Sequence, residues 1–496
     1  MNDILDETPL DLLDCAVAAT QSMEGEGYND VAEALAVQFA ERGDIERAID
    51  LADSIPDPYV RDRSLGSIAA TGIKAGSDQT DELLDGIEDP MMRDVALEQV
   101  AMQYALVGNY EKALDASSEI ANRDVVLNNI AIVLGQKDSM NDALDQIESI
   151  ETDRVRTLTL GRLATIAIEK GNLSEATEVL DSLIQRESEM EFPEDRLDAL
   201  VTIASVSDML GENDLAVQKY LEAYELREEL RQSGLESSAV IAQIVGGLAQ
   251  VKQFKKADDI LSNVEDPLEF CDASILLAMA YHKNGQEREA TELLTQAYEL
   301  GNDEVGSRAG DVLVRDGLFA ELAMSSASCG NYPLAEKAIS AITGAETRFT
   351  INKQVGQLAA LASRQDVVFH LADLFSEPAE KSSYWLAICE STASEPENLE
   401  KAISQALSFA DQIERPYSRS IALADIAFRI AKDSPERADA VFIRSVKTIA
   451  EIEGNQSIAE VLLNLAQKNW KLGRQTTIEE QQHLHALLNK LESADT

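Results

Sequence analysis

The chain has 496 residues (54.1 kDa) and carries 42 Lys and Arg against 90 Asp and Glu, a formal net charge of −48. Hydrophobic residues make up 45% and charged residues 27%, a globular composition, and 11 prolines with 5% aromatics favour helices over a β-sandwich. A pI near 4.3 leaves no electrostatic footprint for nucleic acid or for an anionic membrane surface.

The N-terminal stretch 1–28 is expected to form a helical cap. Its first twenty residues include Asp3, Asp6, Glu7, Asp11 and Asp14 and no Lys or Arg, the opposite of a secretory signal. No apolar run is long enough to span a bilayer. Cys15, Cys271, Cys329 and Cys389 lie far apart, which suits reduced, mostly buried thiols and a cytoplasmic setting. The acidity is spread along the chain, and Lys (18) is scarcer than Arg (24). That pattern is similar to proteins of salt-loaded cytoplasms, where screening relieves self-repulsion.

From residue 29 an internal repeat takes over. Its mark is an Ala, a Gly seven residues later and a second Ala five further on. The set occurs at Ala36, Gly43, Ala48; at Ala101, Gly108, Ala113; and at Ala164, Gly171, Ala176. It recurs at Ala204, Gly211, Ala216; at Ala278, Gly285, Ala290; and at Ala323, Gly330, Ala335. Partial sets fill the gaps: Ala69 with Gly76, Ala131 with Asp138 and Ala143, Lys252 with Ala257, Ala359 with Asp366, and Ala466 with Gly473.

One unit shows the physics. Ala96, Leu97, Val100, Ala101 and Tyr104 share one helical face. Gly108 ends that helix in the left-handed conformation, and Asn109 caps the next. Small residues at Ala101 and Ala113 let two antiparallel helices approach closely. One hairpin cannot bury both faces, so neighbours must stack on it.

The connectors repeat as well. Asp57-Pro58, Asp89-Pro90 and Asp266-Pro267 each read as an N-cap followed by Pro at the first helical position. Six residues after the connector's hydrophobic residue stands an Arg: Arg61, Arg93, Arg156, Arg348 and Arg419, with Phe270 as the exception. An Arg in the first turn opposes the helix dipole, so each needs a tertiary partner. The expected one is an acid on an adjacent second helix, such as Asp50 or Asp53 for Arg61, which makes the series a structural ladder. A ligand-facing row is the alternative.

The stretch 346–453 keeps the hairpin rhythm but loses the Gly register, with helices expected over 382–391, 399–413 and 419–432. The segment 454–496 reads as a last repeat and a capping helix over 478–491, whose outer face is solvated.

The spacing of small residues, with Tyr104, Tyr281 or Phe39 three residues after the first Ala, resembles the tetratricopeptide repeat. The unit 200–224 matches best, through Leu200, Ile203, Ala204, Gly211, Ala216 and Tyr220. The family's early Trp is missing, and its late Pro is replaced by the Asp-Pro connector. The resemblance covers 29–345 well and the rest poorly. It implies an all-α fold, an α-solenoid with a right-handed superhelix of about a dozen helix-turn-helix repeats. It also implies a concave face lined by the first helices. On that face the resemblance places Val37, Met102, Ile132, Thr165, Ser205, Ile275, Met279 and Met324, with His282 nearby. The row is small or apolar with Met, holds Glu33 and Glu98, and lacks Lys. It therefore suits an apolar or helical protein segment, with a basic residue beside Glu33 or Glu98, rather than a carboxylate terminus.

Catalytic patterns are absent. There is no phosphate-binding loop, no dinucleotide loop at Gly25-Glu26-Gly27 and no nucleophile elbow. His483 and His485 are two apart on a helix and so face different ways, unsuited to one metal. Neighbouring acids such as Glu194 and Asp195 read as a solvated face. No catalytic residue, cofactor or metal is expected. The expected function is a non-enzymatic protein–protein interaction scaffold, with a regulatory arm acting on a separate effector protein as the alternative.

Overall fold

The computed structural model describes residues 10–21, 23, 25–137, 139–234, 240–305 and 312–494. Among them there are twenty-seven α-helices and no strand. The chain is an all-α array of antiparallel helix hairpins, in which first helices pack on their own second helices and, within a unit, on neighbouring first helices, as Glu26–Glu41 does on Pro58–Ala75.

The sequence signals act where the repeat places them. Gly43, Gly108, Gly171, Gly211, Gly285 and Gly330 all have φ between 74° and 86° and end first helices in the left-handed region. Asn109 accepts the Lys112 N–H at 3.3 Å and opens the Tyr110–Ser118 helix. Asp57 accepts from Tyr59 and Val60 (2.9 and 3.2 Å), Asp89 from Met91 and Met92 (2.9 and 3.0 Å), and Asp266 from Leu268 and Glu269 (2.9 and 3.1 Å). Each Asp satisfies two orphan N–H groups, and the Pro that follows has no N–H to lose. The paired alanines Ala36 and Ala48, Ala101 and Ala113, and Ala278 and Ala290 are fully buried between their helices.

The chain divides into two compact units. Unit 1 comprises 1–120 and 360–496, and unit 2 comprises 121–359. The grouping differs from the expected order of cap, array, degenerate repeats and cap, because unit 1 joins both ends of the chain. In unit 1 the Leu12–Thr20 helix packs against Asn455–Leu472 as a second helix packs on its first. It also touches Glu26–Glu41 and Ile478–Ala494. The first helix therefore supplies the partner that the last full-length first helix needs. Leu13, Cys15, Ala16 and Ala19 are fully buried there. Arg42 ties the junction: it donates to Asp11 at 3.0 Å and to the Ala466 carbonyl at 3.1 Å. The closing helix Ile478–Ala494 is anchored by its inner face. Leu484 is buried, and Glu480, 1% exposed, takes Arg474 at 2.8 Å.

The stretch without the Gly register lies in unit 1 from residue 360 onward. It forms the hairpins Pro378–Ser391 with Pro396–Ala410 and Pro416–Ile430 with Pro435–Ile449. All four helices start on Pro, and the first three start three or four residues earlier than hydrophobic periodicity places them. Tyr384 and Trp385 are buried and fill the space that small residues leave open elsewhere; the Tyr384 hydroxyl donates to the Val368 carbonyl at 2.8 Å.

Among the described residues two turns use non-glycine residues in the left-handed region: Lys252 (φ 62°) and Ser363 (φ 55°). Ser363 corrects the register read at Ala359 and Asp366. The turn residue lies seven after Gly356 and five before the buried Val368, three residues earlier than expected. Asp138, the turn position of another partial set, lies outside the described residues.

In unit 2 the first helices run Asp124–Gln136, Asp153–Glu169, Pro193–Met209, Val240–Gln250, Pro267–Lys283 and Val312–Ser328, each packed on the next. Gly247 is needed for close approach, since a Cβ there would stand 2.1 Å from the Tyr220 ring.

Candidate functional site

The residues expected on the first-helix face divide between the units. Val37 and Met102 are half-buried in unit 1; Ile132, Thr165, Met279 and Met324 are half-buried in unit 2, and Ser205 is exposed. Ile275 is a correction: it is 0% exposed, because it points between helices rather than along their outer stripe. Glu33 is already matched, its carboxylate taking Arg63 Nε at 2.6 Å, whereas Glu98 is exposed. His282 stands at the hairpin turn, its Nδ1 2.7 Å from Glu287 at the start of the partner helix.

The outer stripe is best developed on two neighbouring helices of unit 2. On Pro267–Lys283, Asp272, Leu276 and Met279 recur at four- and three-residue spacing and face away from the buried Ala273, Leu277 and Ala280. Leu276 is 36% exposed although its Cβ lies 3.0 Å from where a Gly246 Cβ would stand, so its base packs on the Val240–Gln250 helix. On Val312–Ser328 the stripe continues through Glu321 and Met324. Cys329, just past that helix, places its Sγ 3.6 Å from the Met279 Sδ and bridges the two. Burial pushes the Cys329 thiol up to about 11, so it is a protonated, packed group.

The electrostatics of the stripe are uneven. Asp198 meets Arg154 at 3.0 Å, and Glu269 meets Arg227 at 2.6 Å. Among the described residues neither Asp272 nor Glu321 has a cationic partner. Burial pushes the Asp272 carboxyl up to about 6, and the negative charges of Glu321, Asp266 and Glu269 push the same way. Burial also raises the Glu321 carboxyl.

The arginine series has a different geometry from the expected one. Arg156 and Arg419 each donate to the carbonyl of the residue six before, Ile150 and Ile413 (3.2 Å for Arg419), and Arg348 reaches Ile342 at 3.4 Å. Arg93 reaches the Leu84 carbonyl at 2.6 Å. These guanidinium groups sit at the C-terminal end of the preceding second helix, where the dipole favours a cation. Acids add to this: Glu119 lies 3.1 Å from Arg93, and Arg419 pairs with Glu451. Arg61 pairs with Asp62 at 3.0 Å and Glu88 at 3.2 Å, and not with Asp50 or Asp53.

Sequence reasoning missed the carboxylates beside three arginines. Asp62, buried, accepts the N–H groups of Glu88 (2.9 Å) and Asp89 (2.8 Å) in the connector that opens the next unit. Asp124 does the same for Glu151 and Thr152 (3.0 and 2.9 Å), and Asp316 for Thr343 and Gly344 (2.8 and 2.7 Å). The recurring Arg-Asp pairs at 61–62, 123–124 and 315–316 were the available signal.

Among the described residues no cluster of three or more His, Cys, Asp or Glu is arranged to hold a metal, and no helix is long and apolar enough to cross a membrane. No family model matches this chain, and comparison with curated proteins gives no match. Solved structures of similar architecture include Ton1535 from Thermococcus onnurineus, at 17% identity over 71% of this chain and 97% of that one, with a TM-score of 0.26. The apo quorum sensor NprR from B. thuringiensis is 14% identical over 77% of this chain and 99% of that one (TM-score 0.24), and yeast Tom70 is 12% identical over 95% and 97% (0.23). At such scores these likenesses carry no argument about function.

Proposed function

We propose that the chain is a non-enzymatic interaction scaffold whose first-helix stripe in unit 2 docks a segment of another protein. The observation that supports this most is the row Leu276, Met279 and Met324, apolar residues held partly in solvent on two helices packed side by side. Water leaves such a surface favourably when an apolar face covers it, and Met adapts to an irregular partner. A solenoid of rigid hairpins keeps the row in register, so docking need not order the scaffold first.

The test is site-specific photo-crosslinking in cell extract at high salt, with the crosslinker at residue 279 and, as control, at the exposed second-helix residue 288. The expected result is a protein captured from 279 only, and lost on Met324→Glu while the helical circular dichroism and melting temperature stay near wild type. Equal capture from both positions counts against the stripe. If Met324→Glu and Met279→Glu both unfold the protein, the row is core and the reading fails.

A further inference from the structure

Resting on that reading, we propose that the segment docked on the unit 2 stripe is a basic amphipathic helix, with a Lys or Arg received beside Asp272 and Glu321 and apolar side chains over Leu276, Met279 and Met324. The argument is charge complementarity on an apolar face. Three carboxylates on the neighbouring ground are matched inside the chain: Asp198 by Arg154, Glu269 by Arg227, and Glu187 by Arg196 and Lys219. Asp272 and Glu321, beside the apolar row, have no such partner among the described residues. They stand on adjacent first helices, Asp272 half-buried and Glu321 exposed, close enough for the negative charge of Glu321 to act on Asp272, and a protein cation would relieve that repulsion. An acidic partner would add to this repulsion. A purely apolar one would cover the pair and leave both carboxylates desolvated without a counter-charge, which costs more than it gains.

The spacing fits a helix. Asp272, Leu276 and Met279 span about two turns, so a partner helix laid along them can offer one cation and two apolar residues at four- and three-residue intervals. His282 and Lys283 close the far end of the stripe, which sets the partner's cation at the Asp272 end.

The test uses the full chain and two fluorescent synthetic peptides of equal length. Both carry Leu on one helical face; one carries Lys beside that face and the other Gln. Anisotropy titrations run at about 0.15 M salt, so that the general acidity of the surface is screened. The expected result is that the Lys peptide binds and weakens about tenfold in the Asp272→Asn, Glu321→Gln double variant, with the Gln peptide indifferent to that change. Binding of the Lys peptide should also fall as pH is lowered through about 6, where Asp272 takes up a proton beside Glu321, Asp266 and Glu269. Equal binding of the Lys peptide to wild type and double variant overturns the inference, since the attraction is then the diffuse surface charge. If the Gln peptide binds wild type as tightly as the Lys peptide and is lost in Met279→Glu, the docking face stands and the basic partner is wrong. If neither peptide binds, or neither responds to Met279→Glu, the docking reading fails with it.

Discussion

Gln481 and Leu10, 471 residues apart, form a two-way hydrogen bond: the Gln481 side chain donates to the Leu10 carbonyl at 2.9 Å and accepts its N–H at 2.8 Å. Within unit 1 the residues just before the Leu12–Thr20 helix are thereby fixed to the Ile478–Ala494 helix, and Leu12–Thr20 is held where Asn455–Leu472 needs a partner.

Removing a buried contact at this junction should loosen both chain ends together. Leu13→Ala is expected to cost about 2–4 kcal/mol by cavity formation, since Leu13 is 0% exposed. Amide hydrogen exchange should show faster exchange in the Asn455–Leu472 helix as well as in Leu12–Thr20. Loss of protection confined to the first helix would show that the two do not form one cooperative element.

The buried carboxylates should act as connector clasps. Asp124→Ala strands the N–H groups of Glu151 and Thr152 and should cost about 1–3 kcal/mol. Burial by itself raises the Asp124 carboxyl, but the hydrogen bonds from Thr152 and Glu151 outweigh it and hold it below the ordinary 3.8. A depressed folded value means the stabilisation is complete above 3.8 and is lost as pH falls through the lower folded value. Urea titrations between neutral pH and strong acid should therefore show a flatter acid limb in the variant than in wild type; identical limbs would refute the clasp.

The arginines that cap carbonyls should matter more than those on the open surface. Arg156→Ala removes the donor to the Ile150 carbonyl and the pair with Asp153, and about 1–2 kcal/mol is expected. Arg154→Ala, whose side chain is 66% exposed and pairs with Asp198, should cost less than about 1 kcal/mol. Equal losses in denaturant midpoint would mean that charge, not capping, accounts for the series.

Strained turns should be improvable. Lys252 takes φ 62°, where a side chain costs about 1 kcal/mol relative to glycine. Lys252→Gly is expected to raise stability by up to about 1 kcal/mol, less the added freedom of the unfolded chain. A clear destabilisation would indicate that the Lys side chain supports the hairpin.

The net charge of −48 should make stability depend on salt. The melting temperature is expected to rise by about 10 °C from low salt to molar KCl as self-repulsion is screened. An unchanged value would make the acidity incidental to adaptation.

The sequence by itself determined the hairpins. The Ala, Gly and Ala spacing and the Asp-Pro starts are local devices: a small side chain, a left-handed turn and an N-cap work wherever the chain places them. It determined the arginine positions for the same reason, but not their partners. Arg156 meets a carbonyl whose place depends on how one hairpin docks on the next. Tertiary structure also decided the register at Ser363, where packing forces a left-handed turn on a residue that does not signal one. It buried Ile275 while leaving Leu276 at the surface, one residue apart, because the neighbouring helices set which 100° sector is covered. The pairing of Leu12–Thr20 with Asn455–Leu472 was illegible for a different reason: no local signal records a partner at the other end of the chain. What creates that contact is the apolar face that the last first helix cannot bury alone, which only the three-dimensional fold can match to the first nine-residue helix.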